Sequence, residues 1–280
     1  MNVVLPFDDR DGAARFDEAQ CRAAGTALAE RYRTAEPFPH IVIDDFIDPA
    51  ILRTVAAAYP DRETRTAFDR DQERHKYQYA PEEIDDAGAR NLLAQLNARP
   101  FLAFLEELTG IGGLVPDPYF TGGGLHETLA GGHLGVHADF NVHRIMRLER
   151  RLNLLIYLND DWRPEWGGDL ELWDKAMTGP VAHIAPVMGR AVVFNTALDS
   201  FHGHPSPLAC PPDRSRRSIA TYYYTAPEQG VAALPSRTTN FRVRPGTEDR
   251  PDRRVAFEHF VRDWIPHRLQ PLARRLNRFR

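Results

Sequence analysis

From about residue 115 the chain becomes a succession of short β-rich runs, each bounded by Gly, Pro, Asn or Asp: Asn153–Asn159, Asp169–Trp173, Val181–Ile184, Arg190–Phe194 and Ser218–Tyr224. Many short strands with turn signals between them make a sandwich or a barrel rather than alternating βαβ units. The fold class expected is therefore mainly β with flanking helices. The expected organisation is 1–114 as N-terminal helical and strand elements packed on the core, 115–228 as the core itself, and 229–280 as a C-terminal loop and basic amphipathic tail, all in one domain. The 280 residues and 42% hydrophobic content suffice to bury such a core.

The segment ahead of the core reads as helical. Residues 12–34 space Phe16, Ala19, Ala23, Leu28 and Tyr32 along one helical face, and residues 89–109 repeat the pattern until Pro100 interrupts it. Between them a proline-bounded strand, Pro37–Ile43, leads to a helix in which Asp48 is placed as the cap and Pro49 at the first turn. Residues 61–90 are dense in charge and poor in apolar residues, so a surface loop or flap is expected there. The tail from Pro251 carries eight Arg against three acids, interleaved with Phe257, Phe260, Trp264 and Leu269. It reads as an amphipathic helix docked on the domain ahead of an arm for an acidic partner or membrane surface.

Charge and cysteine content narrow the function. A net charge of −4 and a pI near 6.3 supply no basic field for nucleic acid or anionic lipid. The first sixteen residues carry acids where a signal peptide needs an apolar run, and no stretch approaches a membrane span, so a soluble cytoplasmic protein is expected. Cys21 and Cys210 lie far apart and form no C-x-x-C pair, which reads as two buried spectator thiols.

The sharpest constellation is His137-Ala138-Asp139 with a distant His202. On a strand, side chains alternate, so 137 and 139 share a face and two ligands come from one short stretch. Two imidazoles and one carboxylate suit Fe(II) and leave positions open for a chelating cosubstrate and dioxygen, whereas a closed structural zinc site needs a fourth protein ligand. Fourteen residues beyond His202, Arg216 opens a core strand and is suited to bidentate binding of a carboxylate, with Ser218 on the same face as a further hydroxyl donor.

With these residues in place the sequence resembles the Fe(II)- and 2-oxoglutarate-dependent dioxygenases, in particular their prolyl 4-hydroxylase-like branch. The resemblance rests on Leu134–Phe140, Asn153–Asn159 with Asp161-Trp162, Gly167–Trp173, Val193–Thr196 and Ser200–Ser218, in family order, and extends to the strand Phe38–Phe46. It implies a double-stranded β-helix, or jelly roll, with iron held by His137, Asp139 and His202. It also implies 2-oxoglutarate anchored on Arg216, Tyr157 as a phenol that donates to that cosubstrate, O2 as the oxidant, and ascorbate in support. Aligning Ile219–Tyr222 with the family pattern favours Arg216 over Arg217 as the anchor. The implied reaction hydroxylates an unactivated C–H bond of a peptidyl residue, an amino acid or a specialised metabolite, with succinate and CO2 as co-products. Asp139 occupies the position that related halogenases leave free for chloride, which favours hydroxylation.

The remaining candidates read first as structure. His204 could share the face of His202, but the resemblance makes the histidine before Gly203 the ligand. His126, His133 and His143 read as packing or cavity contacts, and His40, His75, His183, His259 and His267 as structural or surface residues. Tyr222–Tyr224 reads as alternating core and second face, and Trp162 and Trp166 as turn packing. Residues 61–90, Gly122–Glu127 and Asn141–Arg147 are expected to wall the substrate entrance. The rival functions are a non-catalytic jelly-roll binding module and a cupin-like metal oxygenase that does not use 2-oxoglutarate; the first is disfavoured by an intact ligand set, the second by Arg216 and Tyr157.

Overall fold

The computed structural model describes residues 3–10, 13–62, 68–227 and 237–251, together with Phe257, Glu258, Phe260, Val261, Ile265 and Gln270. The docked-helix reading of the basic tail, with His259 and His267, lies almost wholly outside the described residues.

A small hairpin, β1 (Asp8–Arg10) with β2 (Ala13–Arg15), precedes α1 (Glu18–Arg33). The helix thus starts later than the apolar spacing predicts, because Asp17 caps it by accepting from Gln20 N at 3.0 Å. Strand β3 (His40–Ile43) leads into α2 (Pro49–Ala57), whose cap is Asp48, with Pro49 in the first turn as expected. The charged segment that follows corrects the loop expectation. It forms β4 (Phe68–Arg70) and β5 (Glu73–Tyr79), a hairpin whose second strand pairs with the barrel. Next come α3 (Ala87–Leu96) and α4 (Arg99–Thr109); Pro100 starts the second of these, and Gly110 ends it in the left-handed region at φ 72°.

The core strands are β6 (Val115–Pro116), β7 (Gly124–Ala138), β8 (Glu149–Tyr157), β9 (Leu170–Trp173), β10 (Pro180–Ile184), β11 (Ala191–Asn195), β12 (His202–His204), β13 (Ser215–Thr225) and β14 (Asn240–Phe241). Every pairing among them is antiparallel, and the main path runs β10-β9-β12-β7-β13-β8-β11-β3. This is a nearly closed, jelly-roll-like barrel, as the resemblance implies. Strand β7 serves both halves of it: its first part pairs with β13, its last part with β12.

Alternation along the strands sets what each face meets. Leu152, Leu154, Ile156, Val193, Ile219 and Tyr223 turn outward onto Phe101, Phe104, Leu105 and Leu108 of α4 in one buried cluster. Tyr157, Val192 and Phe194 turn inward against Leu170, Leu172 and Ile184 of the facing strands. The helices therefore seal one face of the sheet and leave the other face to line a cavity.

Candidate active site

Three elements converge at one end of the barrel. His137 lies near the end of β7, Asp139 one residue past that end, and His202 opens β12 directly opposite His137 in register. Their ligating atoms all lie within 4.8 Å of one another. His137 Nε2 is 3.5 Å from Asp139 Oδ1, and His202 Nε2 is 3.5 Å from Asp139 Oδ2. No other group of three such residues forms a cation site among the described residues.

The protonation of this group is set by its backbone. His137 Nδ1 lies 2.8 Å from Gly135 O and His202 Nδ1 3.0 Å from Ser200 O, each a carbonyl two residues earlier in the chain. A carbonyl only accepts, so each Nδ1 carries the proton and each Nε2 presents a bare lone pair. Burial, reinforced by the neighbouring His137, pushes the His202 imidazole down to about 4, so it stays neutral at ordinary pH. Burial works against charge on Asp139 as well, but Arg150 holds its carboxyl well below the usual carboxylate range. The result is two Nε2 atoms and a carboxylate converging on one point, an arrangement that a divalent cation suits. These residues fit Fe(II) bound through one face.

Arg150 and Asn153, which the sequence reading left unassigned, hold the carboxylate in place. Asn153 Nδ2 donates to Asp139 Oδ2 at 2.7 Å and Arg150 Nη2 lies 3.1 Å from the same oxygen. Arg150 in turn donates to Asn153 Oδ1 from Nε and Nη2 at 2.9 and 2.6 Å, and its guanidinium stacks on Tyr222 with 3.5 Å to the ring centroid.

The group opens into a cavity of about 350 Å³ that Arg216, Ser218, His126, Thr128 and His204 also line. Arg216 is buried, donates from Nε to Gly168 O at 2.7 Å and from Nη2 to Tyr157 Oη at 3.2 Å, and has no carboxylate partner among the described residues. A buried guanidinium without a counter-ion is costly, so the site fits an anionic ligand here, as the far carboxylate of 2-oxoglutarate would be. Gly168 is required beside it. At φ 79° a Cβ would meet Leu208 Cδ2 at 2.5 Å and Arg216 Cδ at 3.2 Å.

Arg217, on the opposite face, donates to Glu127 and to Ala56 O, and Arg214 packs over Trp166 and donates to Asp160 O, so neither belongs to the cavity. Tyr157 reaches the cavity only through its hydrogen bond to Arg216; its ring is fully buried, and burial raises its phenol while Arg216 opposes the rise. His204 lines the cavity, and its buried Nδ1 has no partner among the described residues. It stays outside the converging group. His143 is locked elsewhere by Thr121 and Asp117, and His133 bonds to Asp71 O.

Residues 123–224, somewhat over a third of the chain, match the sequence profile of the 2OG-Fe(II) oxygenase superfamily. No curated protein matches the chain. Among solved structures it is similar to a prolyl 4-hydroxylase of Pseudomonas putida, at 19% identity over 72% of this chain and 100% of that one, with a TM-score of 0.50. It is also similar to a prolyl hydroxylase of Trichoplax adhaerens solved with a peptide fragment of a hypoxia inducible factor, at 15% identity over 74% and 91% of the two chains, with a TM-score of 0.51. At these identities the solved structures speak for the fold, and the sequence profile for the family. Over residues 123–224 the chain matches the 2OG-Fe(II) oxygenase superfamily in sequence, and its barrel has the fold of those enzymes.

Proposed function

We propose that the protein hydroxylates an unactivated C–H bond in a prolyl hydroxylase-like reaction, on a peptidyl residue, an amino acid or a specialised metabolite, and releases succinate and CO2. The observation that carries this reading is the pairing, in one cavity, of a lone-pair triad with a buried, uncompensated guanidinium. His137, Asp139 and His202 would hold Fe(II), and Arg216 would take the far carboxylate of 2-oxoglutarate, with Ser218 adding a hydroxyl. Iron, 2-oxoglutarate and O2 together supply the oxidising chemistry that puts one oxygen atom into the substrate.

The chain's own part is positioning. Gly135 O and Ser200 O fix the two imidazole tautomers. Arg150 and Asn153 keep the Asp139 carboxylate ionised and aimed. Tyr157 Oη and Gly168 O orient the Arg216 guanidinium toward the interior, so that Tyr157 acts on the cosubstrate through Arg216. A cupin-like oxygenase without 2-oxoglutarate would leave Arg216 buried with no counter-ion.

The test is an anaerobic titration with Fe(II) and then 2-oxoglutarate, followed by the metal-to-ligand charge-transfer band of the chelate. Wild type should form the band. Arg216→Ala should need ~10- to 100-fold more 2-oxoglutarate, as loss of a charged hydrogen-bond pair implies. A band absent with iron bound would refute the cosubstrate assignment.

A further inference from the structure

The cavity carries more positive charge than iron and cosubstrate can use. Counting only Arg, Lys and carboxylates, its wall holds four cations, Arg70, Lys76, Arg150 and Arg216, against Glu73 and Asp139. Fe(II) would add two positive charges and the 2-oxoglutarate dianion would remove two, so two positive charges stay in the wall. Arg150 faces Asp139, and Arg216 is set for the cosubstrate. Arg216 accounts for one of the two; the other is the net charge of Arg70 and Lys76 against Glu73, at the β4–β5 hairpin.

The pairing register aims this hairpin at the substrate space. Lys76 and Arg216 both stand opposite Thr128, on the two edges of β7, and one rung of the same face further on Gln78 and Ser218 both stand opposite His126. All six side chains line the cavity. Within the hairpin Phe68 pairs with Lys76 and Arg70 with Glu73, and these four line it too. The Lys76 ammonium gives one hydrogen bond to Glu73 at 2.7 Å with its side chain only 12% exposed, which leaves two N–H groups without a bond among the described residues. Arg70 is exposed at the rim and has no ion-pair partner among those residues. A desolvated ammonium with spare donors, lining the same cavity as a guanidinium that has no ion-pair partner among the described residues, is a receptor for an anion. On the same edge of β7, β14 pairs beside His137, with Phe241 5.3 Å from the His137 ring, so strands rather than an open groove border the metal end.

Resting on the oxygenase reading above, we infer that the substrate is a small anionic molecule whose carboxylate or phosphate is held by Arg70 and Lys76. The hairpin is then the substrate-reading element, and Arg216 is reserved for the cosubstrate.

The experiment uses the full chain loaded anaerobically with Fe(II) and 2-oxoglutarate. Free amino acids are titrated beside their primary amides, and sugar phosphates beside the free sugars; the readout is a shift of the charge-transfer band, followed in air by succinate release. At least one acid or phosphate should shift the band at a concentration ten-fold or more below its uncharged counterpart, and which arm responds identifies the anion. Arg70→Ala and Lys76→Met should each raise that concentration at least ten-fold, Lys76→Arg by no more than about three-fold, and the half-saturating 2-oxoglutarate concentration should stay within about two-fold. The double variant Glu73→Gln/Lys76→Met removes the pair without stranding a carboxylate and should behave like Lys76→Met. Equal response to the uncharged compounds, no response to any anion while the band forms, or a raised 2-oxoglutarate requirement in the hairpin variants would each overturn the inference and leave the oxygenase reading intact. Failure of the band to form overturns that reading, and this inference with it.

Discussion

Two carboxylates of the same barrel, Glu127 within β7 and Asp139 just past its end, are both flanked by arginines, and only one of them keeps lone pairs to spare. Glu127 on β7 is saturated. It accepts from Arg62 Nε and Nη2 at 2.8 and 2.7 Å, Ser215 Oγ at 2.6 Å, Arg217 Nε at 2.9 Å and Tyr79 Oη at 3.3 Å. Asp139 accepts from Asn153 at 2.7 Å and faces Arg150 at 3.1 Å on the same oxygen, and it meets the Nε2 atoms of two imidazoles whose Nδ1 atoms face backbone carbonyls. A carboxylate with every lone pair used is a strut. One held ionised by Arg150, with lone pairs left facing two imidazoles, is suited to bind a metal.

The largest effect should come from breaking the ligand. His137→Ala, Asp139→Ala or His202→Ala is expected to lower succinate formation on the order of a thousand-fold, the equivalent of about 4 kcal/mol, with loss of bound Fe(II) by metal analysis. Glu127→Gln should do the reverse. Fe(II) stoichiometry per folded molecule should be retained while the fold weakens.

For Glu127 the size and sign follow from linkage. Burial opposes its charge, but Arg62, Ser215 and Arg217 outweigh it and hold the carboxyl at about 2, against 4.5 for an ordinary glutamate. A depressed carboxylate stabilises the fold fully above pH 4.5 and loses that contribution as pH falls toward 2. The full contribution is on the order of 3 kcal/mol. Urea unfolding at pH 6 and pH 3 should show wild type losing more stability between the two than Glu127→Gln does; parallel losses would mean that the cluster on this face is not the acid-sensitive strut.

Asn153→Ala sharpens the comparison from the other side. It removes the hydrogen bond that aims Asp139 without removing a ligand, and should cost ~10- to 100-fold in Fe(II) affinity by competition titration. Loss of stability with unchanged affinity would place Asn153 among the struts.

The candidate triad and Arg216 were legible because strand spacing singles out such residues and the family resemblance then picks His202 and Arg216. His137 and Asp139 must share a strand face, and Arg216 must open a core strand with a parity opposite to that of Arg217. Arg150 and Asn153 were not legible, since three positions apart they lie on opposite faces of a regular strand. The register shows why they nevertheless meet: Tyr224 pairs with Arg150 and Tyr223 with Leu152, so Arg151 is an extra residue that rotates Arg150 onto the face of Asn153. The β4–β5 hairpin was hidden for a related reason. His75 sits at φ 49°, where the register against β7 slips between Arg74 and Lys76, so the segment shows no alternation and reads as a charged loop. Helix boundaries around Asp48 and Pro100 were legible because capping and proline chemistry are local.

The smallest effect expected is that of Ser215→Ala. Ser215 Oγ donates to Glu127 Oε1 at 2.6 Å and accepts from Arg217 Nε at 3.1 Å, so the substitution removes one of five donors from the carboxylate and one acceptor from an arginine that still reaches Glu127 and Ala56 O. Arg62 retains its two-pronged grip. The loss should be about 1 kcal/mol in urea unfolding at neutral pH, with Fe(II) affinity and the 2-oxoglutarate requirement unchanged. Set against Asn153→Ala, the two variants each delete a single neutral donor to a carboxylate. Redundancy makes the deletion a minor stability effect at Glu127, whereas at Asp139 the deleted donor is the one that aims a ligand. If Ser215→Ala weakened Fe(II) binding, or Asn153→Ala changed stability alone, the division of labour between the two carboxylates would have to be redrawn.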